Sequence, residues 1–93
     1  MKMNYGREDI GCYFDSAFGY EHNSRRLIDF ATEHGYRESK PSEFYDEFEY
    51  LSYNAEDAAI YLNEHTTRPD NTYWSWEDGD FGLWQYDEEG ELI

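Results

Sequence analysis

The chain has no valine, only nine isoleucine and leucine residues, two prolines and one cysteine. It also has no apolar run near the ~20 residues that a membrane helix requires. Each shortage excludes something. A single cysteine, Cys12, rules out a disulfide framework and points to a reducing compartment. Met1 to Phe14 lacks the continuous apolar stretch of a signal peptide. These features together lead to the expectation of a cytoplasmic protein. With so few aliphatic side chains, a core has to be built from rings, and ten Tyr, six Phe and three Trp supply them. That aromatic supply also separates the chain from acidic disordered segments, which are poor in aromatics. At 93 residues the expectation is one small domain over 1–93, with little stability to spare.

Positive charge is the other shortage, and it is unevenly distributed. Residues 1–42 hold six basic side chains against seven acidic ones, whereas residues 43–93 hold fifteen acids and one base, Arg68. The net charge of −15 therefore lies almost wholly in the second half. So many like charges oppose folding through self-repulsion. The same field repels nucleic acid and anionic membranes and attracts basic protein surfaces.

An α+β fold is expected, with about three short helices packed on a C-terminal antiparallel β-hairpin and a possible third strand. Ile10, Cys12 and Phe14 alternate as a short strand would, although Gly6, Gly11 and Gly19 interrupt the segment. Asn23 or Ser24 is placed to cap a helix whose inner side is Leu27, Phe30, Ala31 and His34, with Gly35 as its left-handed stop. Pro41 and Ser42 suit the entry to a second helix. Its core side would be Phe44, Phe48 and Leu51, with Glu43, Asp46, Glu47 and Tyr50 opposite. Asn54 reads as the cap of a third helix, with Asp57 in the reciprocal position. That helix would bury Ala55, Ala58, Ala59 and Leu62, leaving Ile60 to project among Glu56, Asp57 and Glu64. Asp78-Gly79 is a preferred two-residue turn, because both central positions of a type I′ turn need positive φ. It pairs Glu77 with Asp80, Trp76 with Phe81, Trp74 with Leu83 and Tyr73 with Trp84. Trp74, Trp76, Phe81 and Leu83 then share the covered face. Glu89-Gly90 offers a further turn before a short last strand.

No catalytic motif is present. Cys12 and the three histidines stand at no recognisable spacing, Cys12 reads as a small buried hydrophobe, and His34 reads as a hydrogen-bonded core or helix-end residue. The acids of the hairpin and the DEEGE tail do not supply the calcium-loop pattern. No cofactor and no metal ligand set is therefore assigned. Paired carboxylates for glycoside hydrolysis meet a domain with little room for a sugar cleft.

The acidic surface remains. Proteins that bind duplex DNA do so largely through Lys and Arg contacts to phosphates, and DNA carries one charge per ~1.7 Å of axis. Helix neighbours three or four apart lie ~5 to 6 Å from each other, comparable with successive phosphates on a strand. Glu43, Asp46, Glu47 and Glu49, then Glu56, Asp57 and Glu64, then Glu77, Asp78, Asp80, Asp87, Glu88 and Glu89 form a candidate array. Tyr45, Tyr50, Tyr53 and Tyr61 are interleaved with it, and Ile60 gives it an apolar point.

A small, cysteine-poor, aromatic-rich chain whose carboxylates gather in residues 43–93 resembles the phage and plasmid DNA mimics, among them anti-CRISPR and anti-restriction proteins and uracil-DNA glycosylase inhibitors. The resemblance is carried by composition. It implies a non-enzymatic inhibitor whose partner is a basic nucleic-acid-binding protein, such as a nuclease, a restriction enzyme or a CRISPR effector subunit. Two other readings fit the same charge: an immunity protein or antitoxin that neutralises one basic toxin, and a small acidic metal-binding module.

Overall fold

The C-terminal hairpin forms as its turn residues dictate. In the computed structural model, which describes residues 3–37 and 46–93, Asp78 (φ 51°) and Gly79 (φ 84°) both take positive φ. They join strands Thr72–Glu77 and Asp80–Gln85. The pairing is that expected from the turn, from Glu77 opposite Asp80 to Tyr73 opposite Trp84. We label the strands β1 (Gly11–Phe14), β2 (Thr72–Glu77) and β3 (Asp80–Gln85), and the helices α1 (Tyr20–Glu33) and α2 (Glu47–His65). The sheet is antiparallel with order β1-β3-β2, so the last strand is central. The tail contributes one bridge, Tyr86 to Leu92, in place of a further strand.

β1 joins β3 by an unusually close approach. A Cβ built on Gly82 would lie 2.2 Å from the Gly11 carbonyl oxygen, so only glycine fits there. The register shifts between Cys12 and Phe14. That irregularity lets two successive rings reach the core: Tyr13 packs on Trp74 (centroids 5.0 Å) and Phe14 on Phe81 (5.9 Å). Cys12 is left exposed, contrary to the expectation of a buried thiol.

Rings replace aliphatics at the centre. Trp74, 1 % exposed, meets Tyr5, Tyr13 and Phe30 at 5.0 to 5.4 Å. Its indole N–H donates to Thr66 Oγ1 at 3.0 Å, and that hydroxyl donates to Leu62 O at 2.6 Å. The polar tip is thus satisfied inside the core. His34 is buried as expected. Its Nδ1 lies 2.7 Å from Phe30 O and its Nε2 2.6 Å from Tyr5 Oη. Only an N–H can pair with the carbonyl, so in the neutral ring Nε2 accepts the hydrogen bond from Tyr5 Oη.

The helices depart from expectation at their starts. α1 begins at Tyr20, before Asn23 and Ser24, which are both buried within it. Gly19, at φ 87°, takes the cap position, and Asn23 Nδ2 instead ties the helix to Asp15 O at 2.7 Å. The C-terminus follows the expected pattern. Gly35 (φ 102°) donates to Thr32 O and Tyr36 N–H to Ala31 O, the paired bonds of a Schellman cap.

α2 is one helix of 19 residues in place of two short ones. Asp46 caps it, accepting from Glu49 N–H at 2.8 Å. Asn54, expected to open a new helix, lies in its middle at 0 % exposure. Its Nδ2 donates to Tyr50 O at 2.9 Å and its Oδ1 accepts from Tyr36 Oη at 3.1 Å. Its amide bonds the helix carbonyl four residues back while Tyr36 holds its oxygen, so the buried side chain is satisfied without ending the helix. Asp57 is consequently mid-helix and caps nothing. Leu51, Ala55, Ala58 and Leu62 form the buried stripe. Phe48, expected beside Leu51 in the core, is 61 % exposed because it sits in the first turn, beyond the end of the packed interface. Phe44 and Glu43 lie outside the described residues.

The two helices run in the same sense. Arg25 pairs with Glu47 at one end, and Tyr61 Oη donates to His34 O (2.9 Å) at the other. β2 runs back along α2, where Asn63 brackets the Trp74 backbone: Nδ2 donates to its carbonyl at 2.9 Å and Oδ1 accepts its N–H at 2.7 Å. No helix among the described residues is long and apolar enough to cross a membrane.

Candidate interaction surface

The continuity of α2 decides which acids share a face. At ~3.6 residues per turn, Glu47 and Glu56, nine positions apart, are ~2.5 turns apart and point in opposite directions. Glu47 turns to α1 and pairs with Arg25, which also reaches Glu21 at 3.6 Å. Tyr50 is half-buried against the core. These two residues therefore do not join the outer stripe. That stripe is Glu49, Tyr53, Glu56, Ile60 and Glu64, spaced by three or four, and all five are exposed. Ile60 is 50 % exposed. Of the expected group, Glu56, Asp57, Ile60 and Glu64 are brought together.

Ile60 is also a ridge between two grooves. On one side lies a groove of about 440 Å³ between α2 and β2, lined by Tyr20, Ser52, Glu56, Asn63, Trp76 and neighbours. On the other, a groove of about 450 Å³ runs between α2 and the turn after α1, with Tyr36, Arg37, Asp57, Tyr61 and Glu64 at its walls. The first continues into exposed rings at the helix starts: Tyr20 stands 5.2 Å from Trp76 and 6.0 Å from Phe48. Sequence spacing missed Tyr20 and assigned Phe48 to the core, whereas Trp76 does pack against it, partly buried, as expected. The clue available was that helix-starting aromatics have few neighbours to cover them.

The other expected acids are dispersed. Asp80 accepts from Ser16 N–H at 2.6 Å, which fastens the hairpin tip to the segment before α1, with Asp78 exposed beside it. Glu77 accepts from Tyr86 Oη at 2.6 Å on the outer sheet face. Asp87 closes the tail turn, accepting from the N–H groups of Glu89 and Glu91 at 2.9 Å. Asp80 opens β3 and Asp87 lies just past its far end, ~24 Å away for an extended chain at ~3.4 Å per residue. The tail acids Asp87, Glu88 and Glu89 thus lie at the end of the molecule away from the hairpin tip.

Several carboxylates are committed to the fold, but those of Glu56, Glu64, Asp78, Glu88 and Glu89 have no hydrogen-bond or ion-pair partner among the described residues. Arg68, the one base of the second half, does not neutralise them. It donates to the carbonyls of Thr72 and Asn63, lies 5.6 Å over the Tyr73 ring, and its pKa is lowered by desolvation. Partial desolvation and the Asp80 and Asp15 carboxylates raise the Cys12 pKa, which disfavours the thiolate. No group of three or more His, Cys, Asp or Glu among the described residues is placed to hold a metal ion. Compared with known proteins, the chain matches no family model, no curated sequence and no solved structure.

Proposed function

We propose that the protein is a non-enzymatic inhibitor whose α2 face binds the basic nucleic-acid-binding site of a nuclease, restriction enzyme or CRISPR effector. One observation carries the reading: Glu49, Tyr53, Glu56, Ile60 and Glu64 form a single exposed stripe, with no basic side chain in it. Over fifteen positions at ~1.5 Å each, the stripe is ~22 Å long, comparable with the stretch of phosphates that a basic groove grips. Ile60 and Tyr53 add the apolar anchor that charge alone lacks. Complexes held this way form fast and weaken as salt rises.

The test is to capture the partner from host lysate, identify it by mass spectrometry and measure its binding to duplex DNA. Added protein should displace the DNA competitively, less so in high salt. Glu56→Lys with Glu64→Lys should abolish the effect, whereas Glu88→Lys with Glu89→Lys, the same charge change at the tail, should leave it intact. A partner that keeps its DNA while carrying this protein would overturn the mimicry reading.

The exposed rings of Tyr20 and Phe48, beside the partly buried Trp76, favour a second reading, a neutraliser fitted to one basic toxin. A contact of that kind would be read from shape more than from charge, and would block catalysis without displacing nucleic acid.

A further inference from the structure

The groove between α2 and β2 differs from the open carboxylate stripe beside it. Its walls combine the rings of Tyr20 and Trp76, the Glu56 carboxylate and the apolar flank of Ala59 and Ile60. The strand that floors it has an unfilled backbone position. Along β2 the N–H and C=O of Trp74 point away from β3 and are both taken by Asn63. By the two-residue period of a strand, those of Trp76 point the same way. They have no partner among the described residues. A residue with an unpaired carbonyl, one with an unpaired carboxylate and two aromatic residues therefore line one cleft.

We propose that this groove receives a single arginine side chain from the basic partner. The inference rests on the reading above that the partner presents cations. A guanidinium is planar and weakly hydrated, stacks on ring faces, and has five donors in a fork. One side of the fork meets Glu56 and the other the Trp76 carbonyl, while the aliphatic stem lies along Ala59 and Ile60. A lysine would supply the charge but neither the stacking plane nor the fork. A volume of about 440 Å³ accommodates one long side chain with its adjoining backbone. The groove thereby fixes register on a partner that the stripe attracts from a distance.

The test uses the whole protein and the peptide acetyl-Gly-Arg-Gly-amide, with its citrulline counterpart, which keeps the shape and removes the charge. In two-dimensional NMR the backbone amide and indole N–H of Trp76 should shift saturably with the arginine peptide. The citrulline peptide should bind about tenfold more weakly or worse, the span expected for a cation over rings beside a carboxylate. Glu56→Gln should weaken arginine binding about threefold or more, and Glu88→Gln should leave it unchanged. Equal response to both peptides, no response, or shifts centred on residues 87–91 would overturn the proposal. No nucleic acid or target enters this experiment, so its outcome is separate from the competition test: the groove can fail while DNA displacement succeeds, and the reverse.

Discussion

Two faces of this molecule carry nearly the same kinds of side chain and use them differently. On the outer sheet face, Tyr86 Oη donates to Glu77 at 2.6 Å and sits 2.6 Å from Ser75 Oγ. The Trp84 indole donates to Ser75 O at 2.9 Å, and Arg68 lies over Tyr73. Acid, ring and hydroxyl satisfy one another there. On the outer face of α2, Glu56, Glu64, Tyr53 and Ile60 all face solvent, and the carboxylates have no described partner. A strand brings opposite residues within ~5.5 Å across the ladder, so cross-strand groups find each other. A lone helix face has neighbours only along its own axis, and here none of those neighbours is basic. The closed network holds structure, while the open one is available to a partner.

Substitutions that act on one face and spare the other sharpen this contrast. The largest effect is expected from Gly82→Ala. The new methyl would collide with the Gly11 backbone, and separating β1 from β3 should cost about 3 kcal/mol or more. Urea unfolding checks this, and a loss under 1 kcal/mol would show that the strands adjust freely. Next, Ile60→Asp combined with Glu56→Lys should weaken partner binding about a hundredfold, as loss of an interface anchor does, with the melting temperature almost unchanged. Binding calorimetry beside a thermal melt separates the two quantities. Tyr86→Phe should do the reverse, costing about 1 kcal/mol through the lost bonds to Glu77 and Ser75 while leaving binding intact.

The smallest effect concerns pH. Burial, then the Asp9 carboxylate, pushes the Tyr13 phenol up to about 12. Burial raises Tyr5 and Tyr86 as well. Above pH ~10 an unfolded tyrosine loses its proton while the folded one keeps it, so the native state binds more protons and stability falls as pH rises towards 12. Stability should be flat in this respect below pH 9. Phenolate absorbance followed with circular dichroism should show the last tyrosines ionising together with unfolding. Independent, early ionisation of all ten would contradict the burial of Tyr5 and the packing of the partly buried Tyr13 against the core.

The hairpin was legible because its information is local: Asp78-Gly79 sets the turn, and the two-residue period sets the register. Gly35 marked the end of α1 for the same reason. The continuity of α2 was not legible, because Asn54 is satisfied by Tyr36, eighteen residues upstream. No local rule reports a partner at that distance, so a residue that usually breaks a helix was read as doing so. The same error joined Glu47 and Tyr50 to the outer stripe. The group of Glu56, Asp57, Ile60 and Glu64 survived because helical spacing alone places it. The β1 pairing depends on two glycines seventy-one residues apart, and the groove depends on Tyr20 meeting Trp76. Neither has a sequence signature.

The Asn63 bracket around Trp74 has a consequence for self-association. β2 is an edge strand rich in rings, the kind that recruits further copies into ribbons. Of its outward backbone positions, the Thr72 carbonyl is held by Arg68 and both groups of Trp74 by Asn63; among the described residues this leaves the N–H of Thr72, which is buried, and the two groups of Trp76. One open rung does not template another strand. The side-chain amide thus acts as a one-residue counterfeit of a neighbouring strand, and keeps an aromatic edge from polymerising.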